Sequence, residues 1–435
     1  MSTLTAVGIA VILLIFLLML SIPLPYCFGG ALAFLAITAD VSMKSMMLYS
    51  FAQTTGSVLL ASPMFILAGN YMGGSGIASR LLDFADAFVG HIKGGLGVVS
   101  VVTCAVIGAI SGSGFTGVAA TGPIMIPRME EQGYPRGFAT ALVTVSSVLG
   151  LLIPPSAIMV VFGWVTETSI LACFLSTVIP GLLVTLLFCI INMRECKKYD
   201  LVVAERLKGG DWWKMLGNRS FKAVPALIMP VIILGGIYGG VFTPTEAAAV
   251  AALYSLPVGF FIYKDLTLKE FKRLTFNSIC SIGSIMVMIF VCLMFAQVLV
   301  MLKVPQAIVE MIFGLTQNKF IILVIVNIFL FVVGMIVNDT TGMLICAPLL
   351  LPLMQQLGVS NIHFAAMMGV NLAMGGVTPP YASILYLGMR IGDCEFKDIF
   401  GPTMKLLIYG YVPVVFLTAF IPALSELLPR MFGYM

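Results

Sequence analysis

Two short stretches hold the residues best suited to chemistry: Ser111-Gly112-Ser113-Gly114-Phe115-Thr116-Gly117 and Val337-Asn338-Asp339-Thr340-Thr341-Gly342. Each interrupts an apolar segment with hydroxyls, amides or a carboxylate beside flexible backbone. Asp339 is a carboxylate inside such a segment, a placement costly enough that function is its default reading. Hydroxyl, amide and carbonyl oxygens are the hard donors a Na⁺ ion takes. The first stretch also contains G-x-G-x-x-G, but a dinucleotide site needs a strand before it and a βαβ unit around it. This one lies between apolar runs, so the nucleotide reading fails. Non-helical backbone at membrane depth survives where it is buried in protein or lines a polar cavity; a glycine- and serine-rich packing face is the alternative.

A Pro-Pro pair follows each stretch, at Gly150–Pro155 (GLLIPP) and Gly375–Pro380 (GGVTPP). Proline breaks the helix and frees carbonyls, and the next half-helix presents its N–H groups. Freed carbonyls suit Na⁺, and freed N–H groups suit an anionic oxygen. Neither tip nor Pro-Pro segment contains Lys or Arg. An anionic substrate there must be met by helix N-termini, hydroxyls, amides and bound cations.

These elements are positioned by a repeat. A single offset of 225 carries Gly117, Pro123, Pro127, Gly133, Gly150, Pro154 and Gly163 onto Gly342, Pro348, Pro352, Gly358, Gly375, Pro379 and Gly388. Glycine and proline are what a shared backbone path preserves. Paired, interrupted apolar segments in corresponding halves point to the binding site of a secondary transporter.

The 435 residues are 60% hydrophobic and 10% charged, against about 25% charged in soluble domains. The chain therefore reads as an all-α polytopic membrane protein in contact with the lipid bilayer. Leu4–Leu20 lacks a basic flank and a cleavage site and reads as a retained first helix. The nine cysteines lie mostly in apolar runs without a CxxC, as buried small hydrophobes do. His91 and His363 are too far apart for a metal pair. No hydrolase, zinc or ATP-binding motif occurs, and the net charge of +4 leaves no nucleic-acid footprint. Thr243-Pro244-Thr245-Glu246 reads as a capping box, with proton carriage by Glu246 as the other reading.

The spacing predicts a first repeat over 1–193, with a re-entrant hairpin at about 96–127 and a broken helix at 150–156. A connecting loop follows at 194–222, then a second repeat over 223–435, with a hairpin at about 320–352 and a broken helix at 375–381. Expected helices include 137–152, 157–165, 170–193, 223–240, 244–263, 277–301, 363–377, 381–390 and 404–428. Ser42–Thr55 and Lys264–Asn277 read as interfacial amphipathic stretches, with a plain polar connector as the alternative for either one taken alone. The 194–222 loop carries eight Lys/Arg against four acids, which places it in the cytoplasm. Lys93, Arg128 and Arg136 flank the first hairpin, whereas Leu353–Ile362 after the second has neither Lys nor Arg. The hairpins are thus expected to open to opposite sides, making the repeats inverted; a tandem duplication without inversion is the alternative.

GPIMIP with Gly133-Tyr134, IPPS at 153–156, GVFTPTEAAAVAA at 240–252 and TPP at 378–380 together resemble the large membrane subunit of tripartite ATP-independent periplasmic (TRAP) transporters, over essentially the full chain. The resemblance implies an elevator-type fold like that of divalent anion/sodium symporters. It implies an inner-membrane, Na⁺-coupled carrier for organic acid anions, without other cofactors or enzymatic activity. It also implies two partners, a small four-helix membrane subunit as a separate chain and a periplasmic substrate-binding protein. One Na⁺ site would lie between Ser111–Ser113 and Gly150–Pro154, with Ile153 among its ligands. The other would lie between Asn338–Thr341, including Thr340, and Gly375–Thr378. Substrate would sit near Ser113, Thr116, Ser156, Asp339, Asn371, Thr378 and Tyr381. Phe115 departs from the small and acidic residues frequent at the first tip, and Tyr381-Ala382 from the Val-Gly frequent after TPP. Both lie where substrate is expected and point to a differently shaped pocket, for another carboxylate or a sulfonate. Two competing readings are a stand-alone Na⁺/organic anion symporter of the same fold and, more remotely, a membrane-embedded enzyme or decarboxylase subunit.

Overall fold

A computed structural model describes residues 3–39, 41–202, 210–380 and 382–435, and every regular element in them is helical. The first half comprises α1 (Thr3–Met19), α2 (Leu24–Thr38), α3 (Met43–Thr54), α4 (Ala61–Gly74), α5 (Ile77–Val89), α6 (Gly95–Ser111), α7 (Gly114–Glu131), α8 (Arg136–Ser146), α9 (Ala157–Val165) and α10 (Ile170–Glu195). The second comprises α11 (Gly210–Tyr238), α12 (Pro244–Pro257), α13 (Leu268–Met301), α14 (Val304–Leu315), α15 (Lys319–Ile336), α16 (Asp339–Gln356), α17 (Asn361–Gly375), α18 (Ser383–Gly392), α19 (Phe396–Leu406), α20 (Val412–Phe420) and α21 (Ala423–Met431). Six helices among the described residues are long and apolar enough to cross a membrane.

The offset of 225 read from glycine and proline also relates the element edges. Gly114, Arg136 and Glu195 correspond to Asp339, Asn361 and Phe420, which open α16 and α17 and close α20. The hairpin α6–α7 thus answers α15–α16, α8 answers α17, α9 answers α18, and α10 answers α19 with α20. Packing follows the same correspondence across the halves. The α7 helix packs on α18 and α16 on α9, while α8 packs on α19 and α17 on α10. Each half completes the other, so the four helix interruptions gather in one bundle.

The local causes differ between the two tips. Gly112 ends α6 at φ +63°, in the left-handed region that a Cβ disfavours. At the second tip Asn338 caps α16, its Oδ1 accepting from Thr341 N at 2.9 Å. The helix breaks are a short 3₁₀ turn over Ser147–Leu151 in the first half and the end of α17 at Gly375 in the second. Pro154-Pro155 and Pro379-Pro380 are both joined by cis peptides.

Several expected boundaries need correction. The 194–222 stretch is not a loop throughout: a turn forms at Cys196–Lys198 and α11 begins at Gly210. Its first turns dock on α5, with Trp212 Nε1 donating to Ala87 O at 3.2 Å and Arg219 to Asp86 Oδ2 at 2.7 Å. Lys264–Asn277 is not a separate interfacial helix, because residues from Leu268 run unbroken into the apolar part of α13. Thr267 caps this 34-residue helix and no Gly or Pro interrupts it before Gly283. The Ser42–Thr55 stretch forms α3, which is followed by a separate α4, and the expected 404–428 helix is divided by a π-helical turn at Leu407–Tyr411 and a break at Ile421 and Pro422. Two short helices, α5 and α14, were not expected. The α5 helix is strongly amphipathic, burying Ile77, Ala78, Leu81 and Leu82, the periodicity that would have identified it.

Candidate functional site

Each hairpin tip is pressed against a helix break by a glycine-to-glycine approach. A Cβ on Gly108 of α6 would fall on the backbone of Gly150, and one on Gly375 would fall on the backbone of Gly334 of α15. At the first tip the Gly112 carbonyl accepts from Ala157 N at 3.4 Å, joining the tip to the start of α9. A Cβ on Gly112 would lie 2.9 Å from Pro155 O, so Ser156 and Pro155 border the tip directly. Gly117 faces Ser147, and Gly114 faces Ile384 of α18. Ile384 also receives the second break, its N donating to Gly376 O at 3.0 Å.

The polar atoms are arranged as follows. Ser111 Oγ lies 3.4 Å from both Gly108 O and Ser113 O. Ser113 occupies the N-cap position of α7, yet its hydroxyl makes no capping bond. Thr116 is buried, and its Oγ1 would lie 3.1 Å from a Cβ at Gly69, which puts α4 over this tip. Ser156 is buried and donates to Leu151 O at 2.6 Å. Ile153 packs on Gly181 of α10. At the second tip Asp339 stands in the first turn of α16, where the helix dipole favours an anion, and accepts from Thr340 N at 2.9 Å. No ion pair among the described residues includes Asp339. Asn338 Nδ2 reaches Met288 Sδ at 3.6 Å and Thr341 lies 3.8 Å from Cys292 Sγ, so α13 covers this tip as α4 covers the first. Thr378 donates to Met374 O at 2.8 Å, bracing the break. Tyr381 lies outside the described residues.

The structure brings together Ser111, Ser113, Thr116, Gly150 and Ser156 around the first break, and places Gly375 and Thr378 at the second. Asn338, Asp339, Thr340 and Thr341 form the second tip. Asn371 lies in α17 one turn before Gly375, where it is buried and donates to Asn327 Oδ1 of α15 at 2.7 Å. Its own Oδ1 is buried without a partner among the described residues, and so is Ser146 Oγ. The offset of 225 relates Ser146 to Asn371, so both halves keep an unpaired buried polar oxygen just before the break. Such atoms ordinarily find water or an ion. Their donor chemistry, all neutral oxygen, fits an alkali cation and not a transition metal. Sequence reading missed Ser146, although applying the offset to Asn371 finds it. A groove of about 1380 Å³ runs between the α1–α2 corner and α13 and reaches Asn338, and none of the described residues lining it is charged.

Paired hairpins meeting paired helix breaks inside a bundle define a membrane carrier. The chain belongs to the tripartite ATP-independent periplasmic transporters, since the family model for their DctM component matches residues 11–424. It is 37% identical over 93% of each chain to the C4-dicarboxylate TRAP transporter large permease protein DctM of Pseudomonas aeruginosa. It is 32% identical to the isethionate TRAP transporter permease protein DctMQ of Oleidesulfovibrio alaskensis, over 94% of this chain and 64% of that one. The fold is similar to the crystal structure of the Alcanivorax borkumensis YdaH transporter, with a TM-score of 0.58, 16% identity and coverage of 88% and 89%. This is a multi-pass TRAP large permease, a secondary transporter of organic acids and not an enzyme; permeases of this family work with a small membrane subunit and a periplasmic binding protein.

The Thr243 capping box is present: Glu246 N donates to Thr243 Oγ1 at 3.3 Å and Thr243 N to Glu246 Oε2 at 2.8 Å. Thr243→Ala should lower stability by about 1 kcal/mol, read as an earlier melting transition. Glu246→Gln, which keeps an acceptor, should leave transport intact. Lost transport with unchanged melting would instead make Glu246 a proton carrier.

Proposed function

We propose that this permease imports a small organic acid anion across the bacterial inner membrane, coupled to Na⁺, by an elevator motion. The observation that carries the reading is the pairing of the tips with the breaks. Two repeat-related sets of neutral oxygens sit inside the bundle with one carboxylate and no Lys or Arg in either tip or Pro-Pro segment. Such a site has nothing of its own to neutralise an anion except helix N-termini, so a co-bound cation must supply the charge. One Na⁺ is held at Ser111, Ser113, Gly150, Ile153 and, beneath them, Ser146. The other is held at Asn338, Thr340, Thr341, Gly375 and Thr378. Substrate lies between the tips, against Thr116, Ser156 and Asp339, and Asn371 supports the second ion site from behind.

The hairpins and broken helices move as one body against a scaffold that includes α4 and α13. The repeats are inverted, so that the same pair of tips is offered to either side in turn. The groove from the α1–α2 corner to Asn338 is then the route to the cytoplasm. Substrate arrives from a periplasmic binding protein, and a separate small membrane subunit is bound to the scaffold. The substrate is a carboxylate or a sulfonate; isethionate, carried by one relative, is a sulfonate. Phe115 at the first tip is about half exposed and helps shape the pocket. An unchanged substrate profile in Phe115→Ala would remove that role.

Linkage makes each ligand raise the other's affinity by the same factor. Candidate acids added to the purified permease should therefore raise its melting temperature in Na⁺ and not in K⁺. Equal shifts in both salts would refute the coupling.

A further inference from the structure

The corner between α12 and α13 carries a basic patch that transport chemistry does not use. Because α12, continued by a π-helical turn to Ile262, and α13 are both long and apolar enough to cross a membrane, residues 263–267 must lie at one face of the bilayer. Tyr263 OH donates to Lys222 O at 2.7 Å, bringing α11 to the same corner. Here Lys222, Lys264, Lys269 and Lys272 are all exposed. The acidic neighbours are taken: Asp265 pairs with Arg80, whose guanidinium also lies 4.7 Å over the Tyr263 ring, and Glu270 pairs with Arg273. None of the four lysines has an ion-pair partner among the described residues.

The second half of the observation is apolar. Leu268, Phe276 and Ile279 are 62%, 66% and 61% exposed. With Lys272 they fall at steps of three to four residues along α13, one stripe of a helix. Lysine ammonium groups therefore sit at the bilayer edge, with exposed hydrocarbon and aromatic surface directly below them. A free phosphate would use only the first feature, whereas a phospholipid uses both.

We propose that the α12–α13 corner is a binding site for an anionic phospholipid of the inner leaflet. Lys264, Lys269 and Lys272 take the headgroup phosphate, and Phe276 and Ile279 take the acyl chains. The unbroken run of α13 from this patch into the scaffold means that the lipid anchors the static part of the carrier. This holds whether or not the Na⁺ coupling above is correct, because the site shares no residue with the tips.

The test is native mass spectrometry of the full-length chain extracted from vesicles of equimolar phosphatidylglycerol and phosphatidylcholine. Each lysine near an anionic surface is worth about 1 kcal/mol, about fivefold in binding. Wild type should retain phosphatidylglycerol over phosphatidylcholine by at least about tenfold on that scale. The triple variant K264Q/K269Q/K272Q should lose this preference, and the triple arginine variant should keep it. Glycerol phosphate, which lacks acyl chains, should not displace the lipid. Should the glutamine variant not fold, wild type alone decides, since its preference must fall as salt is raised. Equal retention of both lipids, a preference unmoved by salt or by the glutamines, or displacement by glycerol phosphate would overturn the proposal.

Discussion

Gly375→Val is expected to abolish transport and to destabilise the protein by about 3 kcal/mol, the upper end of what overpacking costs. The reason is what the new side chain meets. Its Cβ would fall on the carbonyl group of Gly334, and backbone cannot swing aside as a flexible side chain can. The first arm of the second hairpin would have to leave the break, carrying Asn338 and Asp339 with it. Gly108→Val should do the same to the first hairpin, because Gly150 presents its own backbone there. Gly235→Ala is the control: nothing lies within 4 Å of the added carbon, so melting and uptake should be unchanged or slightly improved. Normal uptake by both valine variants would mean that the tips need not rest on the breaks, and the proposed ion sites would lose their second wall.

Ser113→Ala and Thr340→Ala should each raise the Na⁺ concentration for half-maximal uptake by about 10- to 150-fold, the effect of losing one bond of about 1.5–3 kcal/mol to a charged group. Both hydroxyls are suited to this test because neither caps a helix, the Thr340 side chain bonding only the neighbouring Asp339 carboxylate. Ser113 makes no capping bond, and the cap of α16 is supplied by Asn338 and not by Thr340. Stability should therefore hold while the Na⁺ requirement moves. Asn338→Ala would be a poorer probe, since it removes cap and candidate ligand together. Wild-type Na⁺ dependence in both alanine variants would show that the ion sites are misplaced.

What the amino-acid pattern made legible was the backbone path. Glycine and proline act locally, so one offset read from them relates the two hairpins and the two breaks, and the starts of α7 at Gly114 and α16 at Asp339 in the structure follow it. Asp339 stood out because a carboxylate among apolar residues has few bland explanations. Contacts set by tertiary partners were not legible. Gly108 and Gly334 are close-approach glycines, but the offset maps Gly108 to position 333, one residue away, so no repeat marked them. Asn371 is expected beside the substrate, and its side chain also donates to Asn327 on α15, the arm of the hairpin that meets the break, a contact no sequence pattern marks. The first turns of α11 read as polar loop because Trp212 and Arg219 find their partners only on α5.

The central claim is tested most directly by uptake into proteoliposomes holding this chain and its small subunit. Labelled carboxylates and sulfonates would be offered with the binding protein present or absent, under an inward Na⁺ gradient or its K⁺ replacement. The account predicts uptake of one such anion only when Na⁺ and the binding protein are both supplied. Uptake in Na⁺ without the binding protein would make this a stand-alone symporter with the same sites, and equal uptake in K⁺ would contradict the account at its core.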